Sequence, residues 1–299
     1  MKHSSQQTND QSKRQAKEIS FATRYGKIAA LQWGSGNSNK VLAFHGWLDN
    51  AASFWHLAPL LAAHDMEITA IDFPGHGHSD HRAPGHNYGF IDYIIDIQAV
   101  IEQMPQPLTL LCHSMGAAIA MMYAAAFPEQ VKHMILIENL GPIPSYQPGK
   151  AASSLREALK VWGKHSLEHK RFYPDVDQAI KARQEATPMA AEIIRPMVER
   201  GLNKTAKGYN WRSDKRLRLR SFFRMSEEQI QEFLSSTQVP TQLIIAEPRT
   251  YALEYPTLQD RIKALNPDQF DPMPGDHHLH MTHAKPVADA ILKFINNES

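Results

Sequence analysis

The chain has 299 residues, 42% apolar and 21% charged, with a formal net charge of +1. This composition suits a folded protein with a sizeable core, and the near-zero charge argues against a nucleic-acid or anionic-membrane partner. One cysteine excludes an internal disulfide, and no apolar run reaches the roughly 18 residues that a membrane-spanning helix needs. Residues 1–17 are polar, without the apolar stretch of a secretion signal, and are expected to be a disordered tail. Together with the single cysteine this points to the cytoplasm.

From residue 18 the elements follow in order. "ISFATRYGKIAALQWG" predicts two strands around Tyr25-Gly26, and "KVLAFHG" a buried strand closed by glycine. Residues 53–64, "SFWHLAPLLAAH", predict a helix with Ser53 as its N-cap. "EITAIDFPGHGHSD" reads as a strand entering a loop. The next helix carries Phe90, Ile94, Ile97 and Ile101 on one face. "PLTLLCHS", "MGAAIAMMYAAAF" and "VKHMILIENLGP" continue as strand, helix and strand. This alternation implies an α/β protein with a mostly parallel central sheet and helices on both faces. Residues 143–236 break it, offering helical segments and no convincing buried strand. The pattern then returns with "TQLIIAEP", "PTLQDRIKAL", "DQFDPMPG" and "PVADAILKFI". That return predicts a helical cap, 143–236, inserted into one core formed by 18–142 and 237–299.

The chemistry concentrates at "LLCHSMGAAIA". Ser114 sits where an apolar strand turns into a small-residue helix, nearly the G-x-S-x-G turn that exposes a nucleophilic serine. Gly116 fills the second glycine position, and Cys112 stands in the first. A serine needs a histidine to take its proton, a carboxylate to orient that histidine, and backbone N–H groups to receive the oxyanion. "FHGWLDN" offers the N–H of Trp47, to act with the N–H of Met115. "MPGDHHLHMTHAKP" offers the base. His277, directly after Gly275-Asp276, is the candidate, with His278 and His280 read as core or rim residues. A zinc reading of these histidines finds no cysteine or acidic ligand set nearby, so no metal and no cofactor are expected. For the acid, Glu138 closes the apolar strand "MILIE", where a carboxylate needs a partner. Glu247 is the alternative, and Glu254 or no acid at all stays open.

"HGWLDNAASFWHLAPLL", "IDFPGHGHSDHRAPG", "LLCHSMGAAIAMMYAAAFPEQV", "LIENLGP" and "GDHHLHM" together resemble the α/β-hydrolase fold superfamily and, within it, the serine hydrolase-like group. The resemblance runs over residues 18–297. It implies a Ser–His–acid triad, carried here by Ser114 and His277. Haloalkane dehalogenases and epoxide hydrolases share the plan but use an aspartate nucleophile, so a serine at 114 argues for ester-type hydrolysis. Some dehalogenases place their acid as a glutamate at the strand tip where Glu138 lies. Departures from the family pattern are Cys112, Ala117 and the lack of an aspartate near Pro248.

The expected function is hydrolysis of a small apolar ester or related acyl substrate through an acyl-enzyme. A catalytically silent binding protein of the same fold is the alternative. Trp47, Trp55, Phe73, Trp162, Trp211 and Phe222 read first as plain core residues, and as candidate pocket walls second. The basic run with Lys215, Arg216, Arg218, Arg220 and Arg224 reads as a solvated surface.

Overall fold

The apolar runs of the sequence lie side by side in one sheet. A computed structural model describes residues 15–144, 149–164, 171–248 and 257–297. The strands are β1 (Lys17–Thr23), β2 (Gly26–Trp33), β3 (Asn39–Phe44), β4 (Met66–Ile71), β5 (Leu108–His113), β6 (Val131–Ile137), β7 (Leu202–Thr205), β8 (Gly208–Trp211), β9 (Thr241–Pro248) and β10 (Gln269–Gly275). Eight of them form the sheet, in the order β1-β2-β4-β3-β5-β6-β9-β10. β2 runs antiparallel to both β1 and β4. From β4 to β10 every pairing is parallel. The loops after β3, β5, β6 and β10 therefore open on the same edge, where sites form in sheets of this kind.

The helices are α1 (Ala58–Ala62), α2 (Asp92–Ile101), α3 (Met115–Ala126), α4 (Ala151–Lys164), α5 (Val176–Ala186), α6 (Ala191–Gly201), α7 (Glu227–Ser235), α8 (Leu258–Leu265), α9 (Leu279–Thr282) and α10 (Ala284–Asn297). Two apolar clusters cover the two faces of the sheet. Leu110 and Cys112 of β5 enter one, with Phe44, Ile119 and Leu136, and Leu111 enters the other, with Val41, Ile135 and Ile291. Burial on both faces is why β5 reads as an unbroken apolar run rather than an alternating one.

Two local expectations change. Residues 53–64 do not form one helix. Asn50, not Ser53, caps a short 3-10 turn, Ala51–Phe54, by accepting from the Ala52 N–H, and Ser53 is buried inside that turn. A new helix starts at Ala58, with Pro59 in its first turn, where a missing N–H costs nothing. The inserted region between β6 and β9 is helical (α4 to α7) but also holds the β7–β8 hairpin. Its four-residue strands are too short to give a readable alternation. The hairpin is set by tertiary contact: Tyr173 and Tyr209 exchange two backbone hydrogen bonds of 2.7 Å. A side chain at Gly208 would meet the Tyr173 carbonyl at 2.4 Å.

Charged side chains anchor the inserted region to the sheet. Arg200 of α6 pairs with the buried Asp72 just beyond β4, its Nη2 2.8 Å from Oδ2. Arg216 binds Asp214 and also donates to the carbonyls of Arg82, Ala83 and His86. The basic run is thus no uniform surface stripe, since Arg216 is buried within it. Among the described residues, no helix is long and apolar enough to cross a membrane.

Candidate active site

Ser114 lies at the hinge between β5 and α3, with φ 49° and ψ −116°. This backbone region costs an L-residue about 1–3 kcal/mol and persists only where neighbours enforce it. The Ser114 N–H donates to the Ile137 carbonyl at 2.9 Å, and the Asn139 side chain donates to the Ser114 carbonyl at 2.9 Å. Gly116 lets α3 press onto β3, since a Cβ there would meet the Phe44 carbonyl at 2.4 Å. Cys112, by contrast, points into the core, and burial pushes its thiol well above the ordinary range. It is a packing residue, and its small size suits the turn.

The three candidate side chains meet in a line. His277 Nε2 lies 3.0 Å from Ser114 Oγ, and His277 Nδ1 lies 3.1 Å from Glu138 Oε2. A carboxylate can only accept, so Nδ1 carries the proton toward Glu138 and Nε2 presents its lone pair to the serine hydroxyl. Glu138 is fully buried and sits at φ 61°, directly after β6. Its Oε1 accepts the Ala246 N–H at 2.5 Å, and its own N–H donates to the Ile244 carbonyl, so the neighbouring strand β9 fixes it at two points. Glu247 lies exposed at the end of β9. Glu254 is outside the described residues.

Trp47 stands in the loop after β3, the strand paired with β5, and Met115 is the first residue of α3, whose first N–H groups have no intrahelical acceptor. The Trp47 loop is braced from below by two buried histidines. His45 accepts the Phe73 N–H at Nε2 (3.0 Å) and donates from Nδ1 to the Gly46 carbonyl (2.7 Å). His76 Nε2 accepts the N–H of Leu48 at 3.2 Å. Burial lowers the pKa of both, that of His76 to about 3, so they are neutral braces. From above, the Trp47 indole donates to the Leu217 carbonyl at 3.0 Å, and the Arg218 guanidinium lies 5.9 Å from the centre of its ring.

The six candidate wall aromatics do not share one pocket. Phe73 is sealed in the core, and Trp55 meets Trp33 edge-on at 6.1 Å. Trp162 and Phe222 pair with each other at 5.5 Å, whereas Trp211 lines a cavity of about 150 Å³ with Asp49, Arg183 and Met197. Their distribution follows tertiary packing, which residue type alone does not reveal.

A buried polar group escapes the sequence reading. Asp49 contacts Arg183 of α5 (2.7 Å), His278 (3.3 Å) and His113 (3.9 Å). Burial alone would raise the Asp49 pKa, but His278, Arg183 and His113 hold its carboxyl well below the usual range. Burial, with His280, His277 and His278 alongside, lowers the His113 pKa well below the ordinary value. His113, beside Ser114 in the chain, is the one local signal of this group, since Asp49 and Arg183 are far apart in sequence.

The chain matches the family model described as alpha/beta hydrolase fold over residues 39–247. It is 32% identical to a "Probable serine hydrolase" of Drosophila melanogaster, over 93% of this chain and 87% of that protein. Among solved structures, the hypothetical protein PA1622 from Pseudomonas aeruginosa PAO1 superposes with a TM-score of 0.87 at 35% identity, covering 93% of this chain and 99% of that one. A thioesterase domain from the curacin biosynthetic pathway superposes with a TM-score of 0.80 at 29% identity, covering 93% and 99%. With the sheet order, the turn at Ser114 and these likenesses in agreement, the chain belongs to the α/β-hydrolase fold family, among its serine-hydrolase-like members.

Proposed function

We propose that the protein is a serine hydrolase that cleaves a small apolar carboxylic ester, or a related acyl substrate such as a thioester, through an acyl-enzyme. The observation that carries this reading is the unbroken line Ser114 Oγ–His277 Nε2 and His277 Nδ1–Glu138 Oε2, at 3.0 and 3.1 Å. Ser114 Oγ attacks the acyl carbon as His277 takes its proton, and Glu138 stabilises the imidazolium that forms. The N–H groups of Trp47 and Met115 receive the oxyanion, each such donor contributing roughly 10²–10³ in rate. The protonated Nε2 then returns its proton to the leaving alcohol or thiol. Water enters, His277 activates it, and the acid is released. His277 keeps about a quarter of its side chain exposed, which leaves a route for that water. The mechanism needs no cofactor. A cytoplasmic setting fits the single, buried cysteine.

The test is labelling with a fluorophosphonate, alongside hydrolysis of aryl esters and acyl thioesters of graded chain length. Wild type should label and turn over, and Ser114→Ala should do neither. A wild type that never labels would move the protein to the silent binding class.

A further inference from the structure

Beneath His277, three side chains converge from three strand ends: Asp49 after β3, His113 at the end of β5 and His278 after β10. Asp49 Oδ2 lies 3.3 Å from His278 Nε2 and 3.9 Å from His113 Nδ1, and the three ligand atoms all fall within 4.8 Å of one another. Zinc bonds to imidazole and carboxylate are about 2.0–2.2 Å, so neighbouring ligands of a tetrahedral ion stand roughly 3.3 Å apart. One edge already has that length. The others close with movements of about an ångström.

His113 carries the argument. Its Nε2 lies 2.7 Å from the His277 carbonyl, which can only accept, so Nε2 holds the proton and Nδ1 is left with a bare lone pair. Nδ1 is fully buried, has no hydrogen-bond partner among the described residues, and looks toward the Asp49 carboxylate. Two lone-pair atoms facing each other out of water are unfavourable unless a proton or cation lies between them. The outer contacts are those that orient metal ligands: the His113 N–H is held by a backbone carbonyl, and Asp49 Oδ1 accepts from Arg183 at 2.7 Å. Gly46 keeps the space open, because a Cβ there would sit 2.9 Å from His113 Nδ1 and 3.3 Å from Asp49 Oδ2. A cavity of about 150 Å³ has Asp49 and Arg183 in its wall, so it reaches one of the three ligands. The histidine cluster lacked an acidic ligand nearby in sequence, and the fold brings Asp49 to it.

We propose that Asp49 Oδ2, His113 Nδ1 and His278 Nε2 bind one zinc-class divalent ion, with a fourth position for solvent. This site is separate from the Ser114–His277–Glu138 line and does not depend on the hydrolytic reading. The test is equilibrium binding of zinc alone to the untagged full-length chain, with cobalt as a spectroscopic reporter. Wild type should retain one equivalent, and cobalt should give the intense visible bands of a four-coordinate ion. Asp49→Asn and His278→Gln should each weaken binding by about a hundredfold or more. His277→Ala should keep it, which separates this site from one at the exposed base. Should the variants fold poorly, diffraction at the zinc edge from wild-type crystals should put one anomalous peak between these three side chains. Absence of stoichiometric binding, equal affinity in Asp49→Asn and His278→Gln, or a peak elsewhere would overturn the proposal.

Discussion

Helices α3 and α4 both follow strands of the sheet, yet they are held in different ways. α3 is apolar all round and almost wholly buried between sheet and neighbours, with Gly116 against the Phe44 carbonyl. α4 has an amphipathic sequence, but of its described side chains only Ala158 is buried. The inserted region to which α4 belongs meets the sheet through α6, whose Ile194, Met197 and Val198 pack into the core, and through charged anchors such as Arg200 on Asp72 and Arg183 on Asp49. The difference separates two duties. The sheet holds Ser114, Glu138 and His277 at fixed spacing by close apolar packing, whereas the inserted region adds buried ion pairs to its apolar contacts.

Substitutions can break or sharpen that separation, and the largest effect is expected on the sheet side. Ser114→Ala should lower ester hydrolysis by roughly 10⁴ or more with little change in melting temperature, read by steady-state kinetics and calorimetry. Glu138→Gln should cost about 10²–10⁴ in kcat, because the charge that stabilises the imidazolium is lost and the Ala246 N–H holds the amide oxygen, turning its NH2 toward Nδ1, while the fold survives. If Glu138→Gln left kcat intact, the acid would have to be sought elsewhere.

Asp72→Asn belongs to the docking side. Asp72 is fully buried, pairs with Arg200 and accepts the Ala51 and His78 N–H groups. Breaking such a pair costs about 3–5 kcal/mol, visible as a lower denaturant midpoint. Unchanged stability would mean that the inserted region does not depend on this anchor.

The neutral braces under Trp47 predict acid sensitivity. The folded pKa of His76 is about 3, below its ordinary 6.5. Between these values the unfolded chain binds more protons than the folded one. Stability is therefore full above pH 6.5 and falls, by a few kcal/mol, as the pH drops toward 3. His76→Gln should flatten that part of a denaturation profile. The smallest effect is expected for Glu247→Gln, within a factor of about three in kcat, since the exposed Glu247 is not the carboxylate at His277. A larger loss there would challenge the pairing of His277 with Glu138.

Much of this was legible in the chain. β5 and α3 declare themselves because a strand buried on both faces is continuously apolar and a buried helix is apolar all round. His277 stood out by following the last strand. The β7–β8 hairpin did not, because strands of four residues carry no usable period and Tyr173, remote in sequence, completes it. Ser53 reads as a cap by residue type, but the turn after β3 starts earlier and Asn50 caps it.

By itself, then, the sequence determined the layered α/β plan, the interruption by an inserted helical region, and the nucleophile and base candidates. These depend on local periodicity and on a turn with its own residue signature. The tertiary structure decided which acid reaches His277, which aromatics are core, and that Asp49 lies against His113 and His278. Those outcomes depend on parallel strands delivering distant loops to one edge of the sheet, a register that hydrogen bonds between strands set and that no stretch of chain contains alone.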